Sequence, residues 1–571
     1  MNCGSPIRMA LLVTSVLVWG SEMSWAETGP TALPGAEQLK AACPTLAGRV
    51  IPAASIGLTS GDASIASATI VAADAATKSP TPDFCKVIGS IAPIDPAAQL
   101  INFQINLPIA WNRKAVQYGG GGYNGTLITG LAPLRDAAPD DPLPLTRGYV
   151  TFGTDSGHQA SAFAPNSIGQ FGLNDEMVLN FAYASYKKVK DVSVNVVRAL
   201  YGQPPSRMYY FGGSEGGREG LTMAQRFPAD YDGIVSVVPA IQLSMVVGAF
   251  IHHQMPQVHG GWIPPGKVGM FAKFVADRCD ALDGLADGVV NNYFACPSHI
   301  DLKELRCPDG TDSGETCLSD AQIAAVAALH SPFQLPFPVA NGLTAYPQWL
   351  YGNEITPDVR SSDMVRWFTG AATPTAAVDI NTSSIHWLYG ANFARFFVAR
   401  DAKFDPSTFD SNNFRDRLRE LSELLDSTNP DLSAFFARGG KLIMRSNTGD
   451  LALSPLAAIN YFNSVSVRVG QATVDQSARL FISPASTHGG PAASVTDGTL
   501  VPTMVDLLDP LDRWVSDGTP PADALIQTVK ETAPPFKLLA SRPMCRYPNY
   551  PHYTGGDRLR AESFRCTPSM P

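Results

Sequence analysis

Gly212-Gly213-Ser214-Glu215-Gly216-Gly217 decides how this chain is read, because it fits the G-x-S-x-G turn that presents a serine between a strand and a helix. Glycine is abundant here, so the flanks have to support the motif. Arg207-Met208-Tyr209-Tyr210-Phe211 is a short β-prone run, entered through Gly202-Gln203-Pro204-Pro205 and preceded by helical spacing over 177–200. After the serine, Leu221, Ala224, Gln225 and Phe227 keep helix-compatible spacing, Pro228 stops the helix, and 234–238 is a second apolar strand. Helix, strand, sharp turn, helix and strand in that order predict a parallel α/β unit, in which ligands bind at the carboxyl ends of strands. The glycines serve a strained turn where side chains would collide with neighbouring backbone.

The chain has 571 residues, enough for one large core with a substantial insertion or for two to three ordinary domains. A net charge of −9 is mild at this length, and Lys and Arg form no basic face; both facts argue against nucleic acid and anionic membranes. The expected partner is a small, neutral or weakly charged molecule. Arg8 precedes an apolar run over 9–19, and Ser24-Trp25-Ala26 offers a cleavage site, so 1–26 is expected to be a signal peptide of a secreted or periplasmic protein. That run is short for a span, and no later segment reaches eighteen uninterrupted apolar residues. Removing the peptide removes Cys3 and leaves eight cysteines in sequence-local pairs without C-x-x-C spacing. The disulfides expected are Cys43 with Cys85, Cys279 with Cys296, Cys307 with Cys317, and Cys545 with Cys566.

Up to about Ala240 strand-like and helical stretches alternate, with strands at 100–107, 115–118 and 149–152. Residues 241–429 are rich in Pro, Trp and Phe, hold four of the eight cysteines and show few β runs. Strand signals return at 441–444 and 479–483, with a helix near 500–514. The fold expected is α/β: a mostly parallel, doubly wound sheet from 27–240 and 430–571, interrupted by a lid at 241–429.

A serine hydroxyl is a poor nucleophile near neutral pH and needs a base. His488 closes the loop Pro484-Ala485-Ser486-Thr487 directly after the strand at 479–483, so it too sits at a strand's carboxyl end. His252, His253 and His259 fall in the expected lid, and His552 in the cysteine-bracketed tail. Asp450 follows the strand at 441–444 through Ser446-Asn447-Thr448-Gly449 and is the candidate partner of His488. The order Ser, Asp, His is that of α/β-hydrolases. An oxyanion needs donors: the amide of Glu215, next to the serine, and one from Gly119-Gly120-Gly121-Gly122-Tyr123-Asn124-Gly125. No Gly-Lys-Ser/Thr follows those glycines, so they do not read as a phosphate loop.

Longer runs then resemble a known family. Gly213-Ser214-Glu215-Gly216-Gly217-Arg218-Glu219-Gly220, Gln225-Arg226-Phe227-Pro228, Tyr231-Asp232-Gly233-Ile234-Val235 and Cys279-Asp280-Ala281-Leu282-Asp283-Gly284-Leu285-Ala286-Asp287-Gly288 are similar to the tannase and feruloyl esterase family. The resemblance implies an α/β-hydrolase core with a lid, the Ser214, Asp450 and His488 triad, and the amides of Gly122 and Glu215 as oxyanion donors. It also implies a structural calcium ion held by the side chains of Asp280, Asp283 and Asp287 and the carbonyls of Leu285 and Val289. That set suits a cation that takes many oxygen ligands, although no Glu stands at the twelfth position of an EF-hand loop. The family usually places cysteines just before the nucleophile and just after the histidine; this chain has Gly213 and Gly489 there.

Trp367, Phe368, Trp387, Tyr389, Phe393, Phe396 and Phe397 give the lid aromatic surface to hold a flat acyl group, and Arg366 or Arg395 is a candidate for a substrate carboxylate. The activity expected is hydrolysis of feruloyl, galloyl, benzoyl or terephthaloyl esters by a monomer, with release of an aromatic acid. The competing expectations are a calcium-stabilised binding protein on the same fold, or an acyltransferase.

Overall fold

Twelve strands form one sheet whose apolar runs decide which of them lie inside it. They are β1 (Val50–Ile51), β2 (Ala63–Val71), β3 (Phe84–Ile91), β4 (Ile101–Pro108), β5 (Lys114–Tyr118), β6 (Val150–Thr154), β7 (Arg207–Gly213), β8 (Gly233–Val237), β9 (Lys441–Asn447), β10 (Ala478–Ser483), β11 (Ala524–Lys530) and β12 (Leu538–Arg546). The computed structural model describes residues 32–75, 79–352, 354 and 362–569, so the expected signal peptide lies outside the described residues. The spatial order is β1-β2-β3-β4-β6-β5-β7-β8-β9-β10-β12-β11. The six strands from β6 to β10 pair in parallel. β6, β8 and β10 are buried at every position, as strands covered on both faces must be.

The parallel sheet expected from the sequence is thus the centre of a wider one, and both flanks are antiparallel. The connections at 92–100 and 531–537 explain this, since they are shorter than a parallel crossover requires. β2 shows the outcome in its side chains, which alternate between buried and exposed over its first half.

The helix expected over 177–200 runs from Asp175 to Tyr201 with one π turn at Asn180–Ala184. It starts where the Asn174 side chain accepts from the Met177 amide and ends at Gly202, whose φ is 76°. The helix expected near 500–514 occupies only Leu508–Asp517. Leu500–Val501 instead pairs with Ala492–Ala493, Pro502 follows, and the Asp506 carboxylate accepts from the Leu508 amide to begin the helix later. All four expected disulfides are present. Among the described residues no helix is long and apolar enough to cross a membrane.

Between β8 and β9 the chain leaves the sheet and folds into helices, including Leu243–Pro256, Pro265–Cys279, Asp320–Leu329, Ile385–Asn392 and Arg415–Leu425. Phe271, Trp349 and Phe368 are buried within it. Its entry and exit are fastened together. The Ser427 amide donates to the Ile241 carbonyl at 2.8 Å, and the buried Asp426 carboxylate accepts from the Ser244 amide and from the hydroxyls of Ser244 and Ser422 at 2.6 to 2.8 Å. Burial pushes the Asp426 carboxyl up to about 6, against those hydrogen bonds.

Candidate active site

Ser214 stands between the end of β7 and the helix Glu215–Arg226 with φ 61° and ψ −124°, a conformation that costs a serine about 1 to 3 kcal/mol. Its amide donates to Val237 of β8 at 2.9 Å, which pins the turn to the sheet. The turn tolerates nothing larger than glycine at two neighbours. A Cβ on Gly212 would lie 2.2 Å from the Gly216 carbonyl oxygen, and one on Gly216 would lie 2.7 Å from the Gly120 carbonyl oxygen.

Asp450 and His488 arrive from the carboxyl ends of β9 and β10. The Thr448 amide donates to Ser483, the Gly449 amide to Ser486, and the Asn447 side chain to the Thr487 carbonyl, so the two loops form one unit. His488 Nδ1 is 2.8 Å from Asp450 Oδ2, and His488 Nε2 is 3.0 Å from Ser214 Oγ. The carboxylate accepts only, which places the imidazole proton on Nδ1 and leaves Nε2 to accept from the serine. Asp450 is 2 % exposed, and its other oxygen takes the amides of Ala452 and Leu453 at 2.8 and 2.9 Å. The three side chains singled out in the sequence therefore form one hydrogen-bonded chain.

The glycine-rich loop after β5 lies against this turn. Glu219, buried in the helix behind Ser214, accepts from the Gly120 amide, the Asn124 side chain and the Tyr210 hydroxyl, and so fixes the loop. Gly122 has φ 58°. The amides of Gly122 and Glu215 make no hydrogen bond within the described residues, and both residues line the cavity. Two free N–H groups beside the serine suit an oxyanion. The Glu215 side chain points away and is buried against Arg218, whose guanidinium also donates to the carbonyls of Phe181, Ala182 and Leu425. Burial pushes the Glu215 carboxyl up, and Arg218 opposes that shift.

The serine opens into a cavity of about 270 Å³. Leu243, Val246, Phe250, Trp367, Tyr389 and Leu453 supply apolar wall, and Arg135 and Arg366 supply guanidinium groups. Of the aromatic residues expected to grip a substrate, only Trp367 and Tyr389 reach it. Phe368, Trp387, Phe393 and Phe396 pack inside the inserted segment, and Phe397 packs against Tyr123 and Phe171 of the sheet domain. Arg395 is turned away and donates to the carbonyls of Phe404 and Ala376.

Four neighbours of the site make contacts that carried no signal in the sequence. The Trp367 ring meets the His488 ring edge-on at 5.1 Å. Asp363 is buried nearby, its carboxyl pushed up to about 6 by burial and by Asp450 and pulled down by His488 and Arg366. His386 bonds through Nε2 to the Leu451 carbonyl at 2.8 Å, next to Asp450. The fourth is Arg135. All four contacts join residues far apart in the chain, which no local pattern reveals.

The expected calcium loop is buried near the C-terminal strands. Asp280 accepts from the amides of Asp287, Gly288 and Val289, Asp283 accepts from the Leu285 amide and the Asn291 side chain, and Asp287 Oδ2 pairs with Arg542 at 2.8 Å. Among the described residues no three His, Cys, Asp or Glu side chains are gathered as a metal site. The donor set nevertheless suits a hard cation, because Asp287 Oδ1 is buried without a hydrogen-bond partner and, of the three carboxylates, Asp287 alone pairs with a guanidinium among the described residues. Burial pushes the carboxyls of Asp280 and Asp283 up, the latter to about 7.

A serine, histidine and aspartate in hydrogen-bonded sequence at the carboxyl ends of parallel strands, beside two unoccupied amides, define the class of α/β hydrolases. The chain belongs to the tannase and feruloyl esterase family, whose model matches residues 85–567, and it is a carboxylic ester hydrolase. It is 37% identical over 537 residues to an uncharacterized esterase of Agrobacterium fabrum, covering 92% of each chain. It is 30% identical over 540 residues to mono(2-hydroxyethyl) terephthalate hydrolase of Piscinibacter sakaiensis, covering 85% of each. The fold is similar to the crystal structure of an esterase from Aspergillus oryzae, with a TM-score of 0.72 at 20% identity, over 93% of this chain and 100% of that one.

Proposed function

We propose that the protein is an exported serine esterase that releases an aromatic acid through an acyl-enzyme. The observation that carries this reading is the continuous hydrogen-bonded chain from Asp450 through His488 to Ser214 at the floor of an aromatic cavity. Ser214 Oγ attacks the ester carbonyl carbon as His488 Nε2 takes the hydroxyl proton, and Asp450 stabilises the imidazolium. The amides of Gly122 and Glu215 receive the developing oxyanion. The carbon–oxygen bond to the alcohol breaks, the alcohol leaves with the proton from His488, and the acyl group stays on Ser214. Water then attacks the acyl-enzyme with His488 again as base, and the acid departs.

Trp367 and Tyr389 flank the acyl position, which supports a flat aromatic acid of the feruloyl, galloyl, benzoyl or terephthaloyl kind. Arg366 reaches the same cavity and suits an acid that carries a second anionic group. The four disulfides support an oxidising compartment. Calcium at Asp280, Asp283 and Asp287, with the carbonyls of Leu285 and Val289, acts structurally; a chelator is expected to lower the melting temperature, and an unchanged melting curve would remove the ion from the account.

The deciding experiment measures hydrolysis of a panel of feruloyl, galloyl, benzoyl and terephthaloyl monoesters, with acetyl ester as reference and Ser214→Ala as control. Aromatic esters are expected to be preferred and the variant to be inactive. Equal low rates across the panel would overturn the aromatic-acid assignment, and an active Ser214→Ala would overturn the nucleophile.

A further inference from the structure

The backbone just before Ser214 is covered by one side chain, and that side chain also reaches the histidine loop. A Cβ on Gly213 would lie 2.3 Å from Arg135 Cδ, 2.8 Å from Nη1 and 3.0 Å from Nε, so the arginine stem and guanidinium lie directly on the Gly213 Cα. The Nη2 group of the same guanidinium donates to the carbonyl of His488. Gly489, by contrast, faces open space, with Thr487 Oγ1 the nearest atom at 3.8 Å from a Cβ placed there.

The residue after Arg135 keeps it from moving freely. Asp136 has φ 63°, pairs through its carboxylate with the fully buried Arg445 at 3.0 Å, and accepts the Val505 amide on its carbonyl at 2.8 Å. Its other carboxylate oxygen lies 2.4 Å from where a Cβ on Gly490 would stand. Arg445 is itself tied to Asn447, Ser483 and the Thr503 carbonyl, at the roots of the Asp450 and His488 loops. Residues 135 and 136 therefore touch 488 and 490 respectively, from a seat anchored in the sheet.

The geometry points to Arg135 as a positioning residue: its guanidinium fastens the nucleophile turn to the His488 loop and so sets the separation between Ser214 Oγ and His488 Nε2. A planar group with five N–H donors can lie on one backbone and donate to another at once, which a lysine's single ammonium cannot. The contact lies beside the two positions where this chain has Gly213 and Gly489 in place of the cysteines that its resemblance implies. The inference rests on the serine-esterase reading above, and the rival role for a guanidinium in this cavity is contact with an anionic substrate.

The test compares wild type, Arg135→Ala, Gly213→Ala and the double variant on a neutral acetyl ester and on an aromatic ester bearing a carboxylate. A clasp predicts that kcat of Arg135→Ala falls about tenfold to a hundredfold on both esters, as expected of a small misplacement of reacting groups, with KM little changed. Gly213→Ala, which pushes the guanidinium away, is expected to lose a similar amount, and the double variant to be no worse than Arg135→Ala alone. An unchanged kcat on the neutral ester, strictly additive losses, or a loss confined to KM for the carboxylated ester would overturn the proposal. Failure of the esterase reading looks different, because Ser214→Ala would then match wild type. A readout independent of turnover is the His488 imidazole Cε1–H resonance in ¹³C-histidine-labelled protein: Arg135→Ala is expected to shift and broaden it, and an unmoved resonance would also overturn the assignment.

Discussion

The central sheet and the segment inserted between β8 and β9 both reach the cavity, but they bring different things to it. Ser214, Asp450, His488 and the glycine-rich loop each stand within a few residues of the carboxyl end of β7, β9, β10 or β5, so the register of the parallel strands sets their spacing. The inserted segment contributes wall: Leu243, Val246, Phe250, Arg366, Trp367 and Tyr389. Its backbone is irregular where Arg366 and Trp367 enter the wall, with a π turn at Met364–Thr369. The reacting groups thus come from the sheet, and the inserted segment, which supplies much of the wall, is expected to govern the choice of acid.

The sharpest way to break that division is to alter a residue on each side. Asp450→Asn keeps the shape but puts an amide beside His488 Nδ1, and kcat is expected to fall about ten-thousandfold on every ester, acetyl and aromatic alike. A loss that depended on the acid would show that the sheet also selects. Next in size is Arg218→Met, which strands the buried Glu215 carboxylate and frees the carbonyls of Phe181, Ala182 and Leu425; it is expected to cost about 3 to 5 kcal/mol of stability in urea unfolding. Trp367→Ala should reduce the preference for aromatic over acetyl esters by about tenfold, read as the ratio of kcat/KM, because it removes one face of the acyl site. An unchanged ratio would take selectivity away from the inserted segment.

The smallest expected effect is on pH. His386 is held down to about 3, and His330 and His158 to about 4, by burial. Unfolding returns each of them to about 6.5, so below that pH the unfolded chain binds more protons. Their contribution is complete above about pH 6.5 and drains away as pH falls towards 4. Asp363 and Asp426, raised to about 6, act in the opposite sense, so the measurement is a difference. His386→Gln should flatten the loss of urea stability between pH 7 and 4.5 relative to wild type, and an identical slope would contradict the assignment.

The same division explains how much could be read from the sequence. The nucleophile turn, Asp450 and His488 were legible because each follows an apolar run by a few residues, and the strands that carry them have no exposed position to blur the pattern. Of the outer strands β4 was read and β2 was not: Ala-Ser-Ile-Ala-Ser-Ala-Thr-Ile-Val is built of small residues, and its pairing is settled by neighbours. The cavity walls were half legible, since aromatic composition marked the segment without showing that Trp367 faces His488 while Phe397 faces inward. Arg135, Glu219 and His386 act on backbone groups far along the chain, and no spacing rule announces such contacts.

The fastening of Ile241 to Ser427 and of Ser244 to Asp426 makes the inserted segment a loop closed at its own neck. A segment that starts and finishes at one neck can be replaced without re-threading the sheet. Transplanting a relative's segment between these residues should carry that relative's acyl preference onto this chain's own triad, which makes the neck a natural cutting point for recombining substrate ranges.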